Sequence, residues 1–187
     1  MSASVILPED NFQQAAGVFT LLSRLWASEV DAKTLNAMTQ APFADAWKDS
    51  GGQLPSATTD ELVEELAVDY CQLLIGPKDH VSPIQSVRDQ NRFQGNATES
   101  MQKYIQMVDG FQPCVDMVDH VAVQLQYAGV LLNMAEQTKR KLIQGLATAF
   151  CRDHLDWTKA FFERTEKQAQ SDFYQSLSRV SNQFLFG

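Results

Sequence analysis

Apolar residues recur at three- and four-residue steps along almost the whole chain, and no stretch alternates apolar and polar residues for a useful length. From Asn11 to Glu29 the apolar positions are Phe12, Ala15, Ala16, Phe19, Leu22, Leu25 and Trp26, one face of a helix. A strand cannot use that period, because its side chains change face at every residue. Asp31 is placed to cap a second helix carrying Leu35 and Met38. Pro42 is placed to open a third through Ala44–Trp47, which Gly51-Gly52 ends. Thr58-Thr59-Asp60-Glu61 reads as a capping box, a hydroxyl at the cap and a glutamate three residues on. The helix behind it buries Leu62, Leu66, Tyr70 and Leu73, with Val63, Ala67 and Leu74 beside them, and Gly76-Pro77 stops it. Further helices are expected over Thr98–Asp109, Val115–Glu136, Thr138–Ala149, Asp153–Gln168 and Asp172–Phe186. The fold class is therefore all-α, a compact single-domain bundle over residues 1–187 with about eight to ten helices. Residues 77–97 alone show no clean period, and so long an irregular loop inside a domain is usually functional or disordered.

At 187 residues the chain can bury a core without disulfides or a structural metal. With 44% hydrophobic and 20% charged residues, wholesale disorder is excluded. No run approaches the ~20 apolar residues of a membrane helix; the longest, near Val121–Leu132, is broken by Gln124, Gln126 and Tyr127. The opening MSASVILPEDN has no basic start and no long apolar run, so no secretory signal is expected. Cys71, Cys114 and Cys151 are too few and too scattered for a disulfide framework or a zinc site. The cytoplasm is the expected compartment. A net charge of −8 argues against nucleic acid, whose phosphates need a Lys/Arg surface.

Nucleotide-binding and hydrolase motifs are absent. Asp116 and His120 stand four apart on a predicted helix and so share a face, with Asp119 adjacent. A metal site would need a further ligand, from His80 or His154, that no spacing supplies; without one the pair reads as a partly solvated helix start. Cys71 reads as a small core hydrophobe, since no base is placed near it. No motif assigns a catalytic residue, metal or cofactor, and an acid–base or metal role for Asp116 and His120 stays open at this point. Six acids and no Lys or Arg lie between Asp49 and Pro77; four acids and again no Lys or Arg lie between Tyr104 and Thr138. If these segments packed together, a cationic peptide would be drawn to the loop between them; acids near helix starts also simply complement helix dipoles.

The run Glu65-Leu66-Ala67-Val68-Asp69-Tyr70-Cys71-Gln72-Leu73-Leu74-Ile75-Gly76-Pro77, followed by Pro83 and Ser86, resembles the TorD/DmsD family of redox-enzyme maturation chaperones. That family has an acid–Tyr helix entering a Leu-Phe-x-Gly-Pro turn and then a Pro-x-x-Ser loop. Asp116-Met117-Val118-Asp119-His120 is similar to its Glu-x-x-Asp-His element, and Phe150 to Trp157 with Phe161 to its His-Leu…Trp segment. The three matches come in family order. Leu74 stands in place of a phenylalanine, Ile84 and Val87 where the loop often has an aromatic, and Val118 in place of a proline.

The resemblance implies an all-helical, cytoplasmic, non-enzymatic chaperone, monomeric or a domain-swapped dimer. Its partners would be the twin-arginine signal peptide and the apoprotein of a molybdenum-cofactor oxidoreductase. The implied binding positions are Tyr70, Leu73, Leu74, Gly76, Pro77, Pro83, Ser86, Asp116, Asp119 and His120. Weak guanine-nucleotide binding enters by resemblance alone; no phosphate cradle is visible. In this reading Asp116 and Asp119 pair with the arginines. Tyr70, Leu73, Leu74 and the Pro77–Pro83 turn take the apolar middle of the peptide. His120 orients Asp119 or touches the peptide. The rivals are an acidic adaptor or subunit of an oxidoreductase complex, and a small metal-dependent helical enzyme.

Overall fold

Helices carry nearly all the regular structure. The computed structural model describes residues 5–7, 11–41 and 43–187. Among them are ten α-helices and no strand: α1 (Phe12–Ala27), α2 (Ala32–Met38), α3 (Phe43–Asp49), α4 (Asp60–Tyr70), α5 (Gln85–Gln90), α6 (Asn96–Ile105), α7 (Val121–Thr138), α8 (Lys141–His154), α9 (Thr158–Gln168) and α10 (Asp172–Phe186). A π-helical turn, Cys71–Ile75, continues α4. The helices form two compact units: Met1–Ala27 with Ser82–Thr158, and Ser28–Val81 with Lys159–Gly187.

In the first unit α1 and α8 pack on α7. Buried residues on α7 span every face, including Val121, Leu125, Tyr127, Ala128, Leu131 and Leu132. A helix apolar all round belongs at the centre of a bundle. Its Gly129 lets α1 come close: a Cβ there would stand 3.2 Å from the Ala16 carbonyl oxygen and 3.3 Å from Phe19 Cβ. Beside it, the rings of Tyr104, Tyr127, Phe150 and His154 pack together, with Tyr127 and Phe150 centred 4.7 Å apart.

In the second unit α10 packs on α4. Asp69 fastens them. Its buried carboxylate accepts from Gln170 N at 3.1 Å, Ser171 N at 2.8 Å and Ser171 Oγ at 2.6 Å, while Ser171 itself caps α10. Trp47 stacks on Phe173 at 6.3 Å.

Local signals set most helix ends. Asp31 caps α2, its carboxylate accepting from Thr34 N at 2.6 Å, and Gly51, at φ +77°, follows the end of α3. The predicted helix-opening Pro42 lies outside the described residues. The cap of α4 is Thr59 rather than Thr58: the extended Thr59 backbone aims its hydroxyl at Leu62 N, 3.2 Å away. The segment 77–97 is less irregular than its sequence suggests, since α5 lies within it and α6 begins at Asn96.

One helix start moves further. A helix is expected from Val115, but α7 begins at Val121 and residues 114–120 are irregular. The reason is a long-range pairing. Val121 N donates to Pro83 O at 2.8 Å and Gln85 N to Asp119 O at 3.1 Å, forming an isolated antiparallel bridge between Ile84 and His120. Backbone groups committed to residues 83–85 cannot also close helical turns. Asp116 and His120 therefore do not share a helix face: Asp116 is exposed before the helix and His120 is its cap.

Candidate functional site

The ten residues singled out by the sequence divide between the units. Tyr70, Leu73, Leu74, Gly76 and Pro77 fall in the second unit; Pro83, Ser86, Asp116, Asp119 and His120 fall in the first. The two acidic segments divide the same way.

In the second unit the π-turn shapes the site. Gly76 N donates back five residues to Cys71 O at 2.8 Å, and Val81 N closes the following loop onto Leu73 O at 2.7 Å. A Cβ on Gly76 would lie 3.0 Å from the Gln72 carbonyl oxygen, which explains the glycine by close approach rather than by a left-handed backbone. Inserting one extra residue per turn rotates the side chains that follow. Tyr70, Leu73 and Leu74 turn inward and are buried, while Ile75 is 66% exposed. Leu73, Gly76 and Pro77 line a cavity of about 480 Å³ with Gln72, Lys78 and Gln170. Tyr70 and Leu74 are core residues; Tyr70 packs on Tyr174, ring centres 5.8 Å apart.

In the first unit Pro83, Ser86, Asp119 and His120 come together. Asp119 is fully buried, 0% exposed, and its Oδ2 accepts from Ser86 N at 2.9 Å. Ser86 is the second residue of α5, so Asp119 supplies from 33 residues away the cap that Ile84 cannot. Asp119 Oδ1 and Ser86 Oγ have no hydrogen-bond partner among the described residues. His120 Nδ1 accepts from Ala122 N at 3.1 Å, which leaves a neutral ring its proton on Nε2. Burial pushes the His120 imidazole down to about 4, although the neighbouring Asp119 favours the charged form. Asp116 takes no part in this cluster and is exposed.

Behind the cluster runs a buried polar network; His154 and Trp157 belong to the third family-like segment, while Gln85 and Gln124 had no role in the sequence reading. Trp157 Nε1 can only donate, and it does so to Gln124 Oε1 at 2.9 Å. Gln124 therefore presents its Nε2 to Gln85 Oε1 at 2.7 Å. Gln85 Oε1 is thus an acceptor, so the His154 Nδ1 that lies 3.1 Å away carries the proton. His154 Nε2 must then accept, and Ser100 Oγ donates to it at 2.9 Å. One donor-only indole fixes the direction of every bond. Burial pushes His154 down to about 4, against the pull of Asp153 and Asp119, which agrees with a neutral ring. Glutamines have no local signature; the signal available was polar residues on the apolar face of α7, where Gln124 follows Val121 by three.

Among the described residues no cluster of three or more His, Cys, Asp or Glu side chains is arranged to hold a metal. Among them too, no helix is long and apolar enough to cross a membrane. Residues 30–163 match the family described as nitrate reductase delta subunit. The chain is 25% identical to "Chaperone protein TorD" of Shewanella pealeana, over 90% of this chain and 85% of that protein. It is 26% identical to "Chaperone protein TorD" of Shewanella piezotolerans, over 97% and 92%. The chain belongs to the nitrate reductase delta subunit family and, within it, to the TorD/DmsD chaperones, which are not enzymes.

Proposed function

We propose that this protein is a cytoplasmic, system-specific chaperone that binds the twin-arginine signal peptide, the apoprotein, or both, of a molybdenum-cofactor oxidoreductase and assists its maturation before export. The observation that carries the reading is the joining of Pro83 and Ser86 to Asp119 and His120 in one buried arrangement. Sequence motifs far apart in the chain thereby share one buried base, beneath the exposed residues Arg88, Asp89 and Gln90. Asp116, exposed before α7, is the acid free to meet an arginine; Asp119, wholly internal, shapes the loop. The cavity beside Leu73, Gly76 and Pro77 offers a separate place for part of a peptide.

A second reading has one specific support, the family's description as a subunit. An adaptor would hold one constant mature partner and ignore an isolated leader. Affinity capture from the native host's cytoplasm, with mass spectrometry of what is bound, separates the two. Recovery of a molybdoenzyme precursor still carrying its twin-arginine leader supports the chaperone. Recovery of mature enzyme alone supports the subunit.

A further inference from the structure

Helix α5 is too short to hold itself. Six residues lie far below the ~12 at which an isolated helix becomes marginal in water. Nor does apolar packing anchor it, because its buried residues are Gln85 and Ser86, both polar. Besides the backbone pairing of residues 83–85 with 119–121, two interior side-chain contacts fasten it. Asp119 takes the Ser86 amide at 2.9 Å. The Gln85 side chain enters the interior, where its one oxygen accepts from Gln124 on α7 and from His154 at the end of α8. Outside, Gln85 Nε2 reaches Asp89 at 3.4 Å, and Arg88 lies over the Trp157 ring, 5.8 Å from its centre.

An apolar side chain at position 85 would fill this space at lower desolvation cost. What a polar network adds is a single direction and register, since the donor-only Trp157 indole, shared between Gln124 Oε1 and the His154 carbonyl at 2.9 Å each, orients the bonds that follow. We propose that Gln85, Gln124 and His154 are positioning residues of the 83–90 segment: through the Trp157-directed chain of bonds they hold this segment, whose residues Arg88, Asp89 and Gln90 are exposed, in the conformation that receives the client's leader peptide. This rests on the chaperone reading above. None of the three needs to touch the peptide.

The test compares Gln85→Leu with Gln85→Glu in the full chain. Leucine removes the bonds to Gln124, His154 and Asp89; a glutamate oxygen still accepts from Gln124 and His154 and gives up only the long Asp89 contact. Two readouts are taken: amide hydrogen exchange at Ser86, Arg88 and Asn91, with the Trp157 indole proton resonance, and calorimetric binding of a synthetic leader with two adjacent arginines ahead of an apolar stretch. In Gln85→Leu, exchange at the three amides rises by about tenfold or more, leader affinity falls by a similar factor, and α1 and α7 keep their protection. Gln85→Glu restores both. Should Gln85→Leu not fold, Gln124→Met, which keeps the bulk on α7, gives the same pair of losses. Unchanged exchange and affinity in the folded leucine or methionine variant overturns the proposal, as does a glutamate variant that behaves like leucine. Wild-type protein that binds no leader overturns the chaperone reading and with it the peptide half of the proposal; the exchange data then decide the positioning half alone.

Discussion

Two carboxylates three residues apart in sequence have opposite fates. Asp119 is buried and caps α5; Asp116 is exposed. Asp119→Ala leaves the Ser86 amide without its acceptor, so the protein loses on the order of 2 kcal/mol of stability and leader binding falls with it. Asp116→Ala leaves the melting temperature in place and lowers leader affinity alone. Denaturant titration beside calorimetry on both variants checks the split; equal stability losses would put Asp116 in the fold instead. The histidines make a second residue-level prediction. His120 and His154 are held at about 4 against an ordinary 6.5. Between those values the unfolded chain binds protons that the folded chain refuses, so stability rises with pH across that window. It is complete above about 6.5 and lost on acidification toward 4, by roughly 3 kcal/mol for each ring. Urea midpoints from pH 7 to pH 4.5 read this, and His154→Gln removes part of the slope.

At the scale of elements, α7 shows how far periodicity can be read. Its body follows from its apolar residues, but its start does not, because residues 119–121 are committed to 83–85. The π-turn after Tyr70 is equally invisible locally; Gly76-Pro77 marks where the helix stops, not that its last turn widens. Asp31, by contrast, is both named by the sequence and used, since a cap acts within three residues. The α1–α7 contact yields a third prediction. Gly129→Val places branched carbon against the Ala16 carbonyl and Phe19, where a Cβ alone already stands at 3.2 and 3.3 Å. The expected loss is about 2 kcal/mol, read as a lower urea midpoint at unchanged helix content.

For the whole molecule, a net charge of −8 sets the long-range field. A cationic leader is drawn to such a surface, and the attraction is screened once salt exceeds ~0.1 M, where the Debye length is about 10 Å. Leader association therefore slows several-fold as salt is raised through that range, while dissociation, governed by close contacts, changes less. Stopped-flow or surface-based kinetics check this, and a salt-independent association rate would remove the acidic field from the mechanism. The division into two units is not marked by any linker composition. Each unit draws on two separated stretches; the boundary at Ala27 falls in ordinary sequence, while the one at Val81 falls inside the irregular stretch that begins at Pro77.

What the amino-acid order alone determined is the local and the repetitive: an all-helical chain, the Asp31 cap, the stops at Gly51 and Gly76-Pro77, and the motif residues through which its family is recognised. These depend on neighbours within a turn or two, and a 3.6-residue period states them directly. What only the tertiary structure decided is where polar side chains point. Asp119 finds Ser86, and Gln85 finds Gln124 and His154, across separations of 33, 39 and 69 residues. A buried donor must meet an acceptor wherever the folded chain brings one, and that obligation leaves no local trace in the sequence.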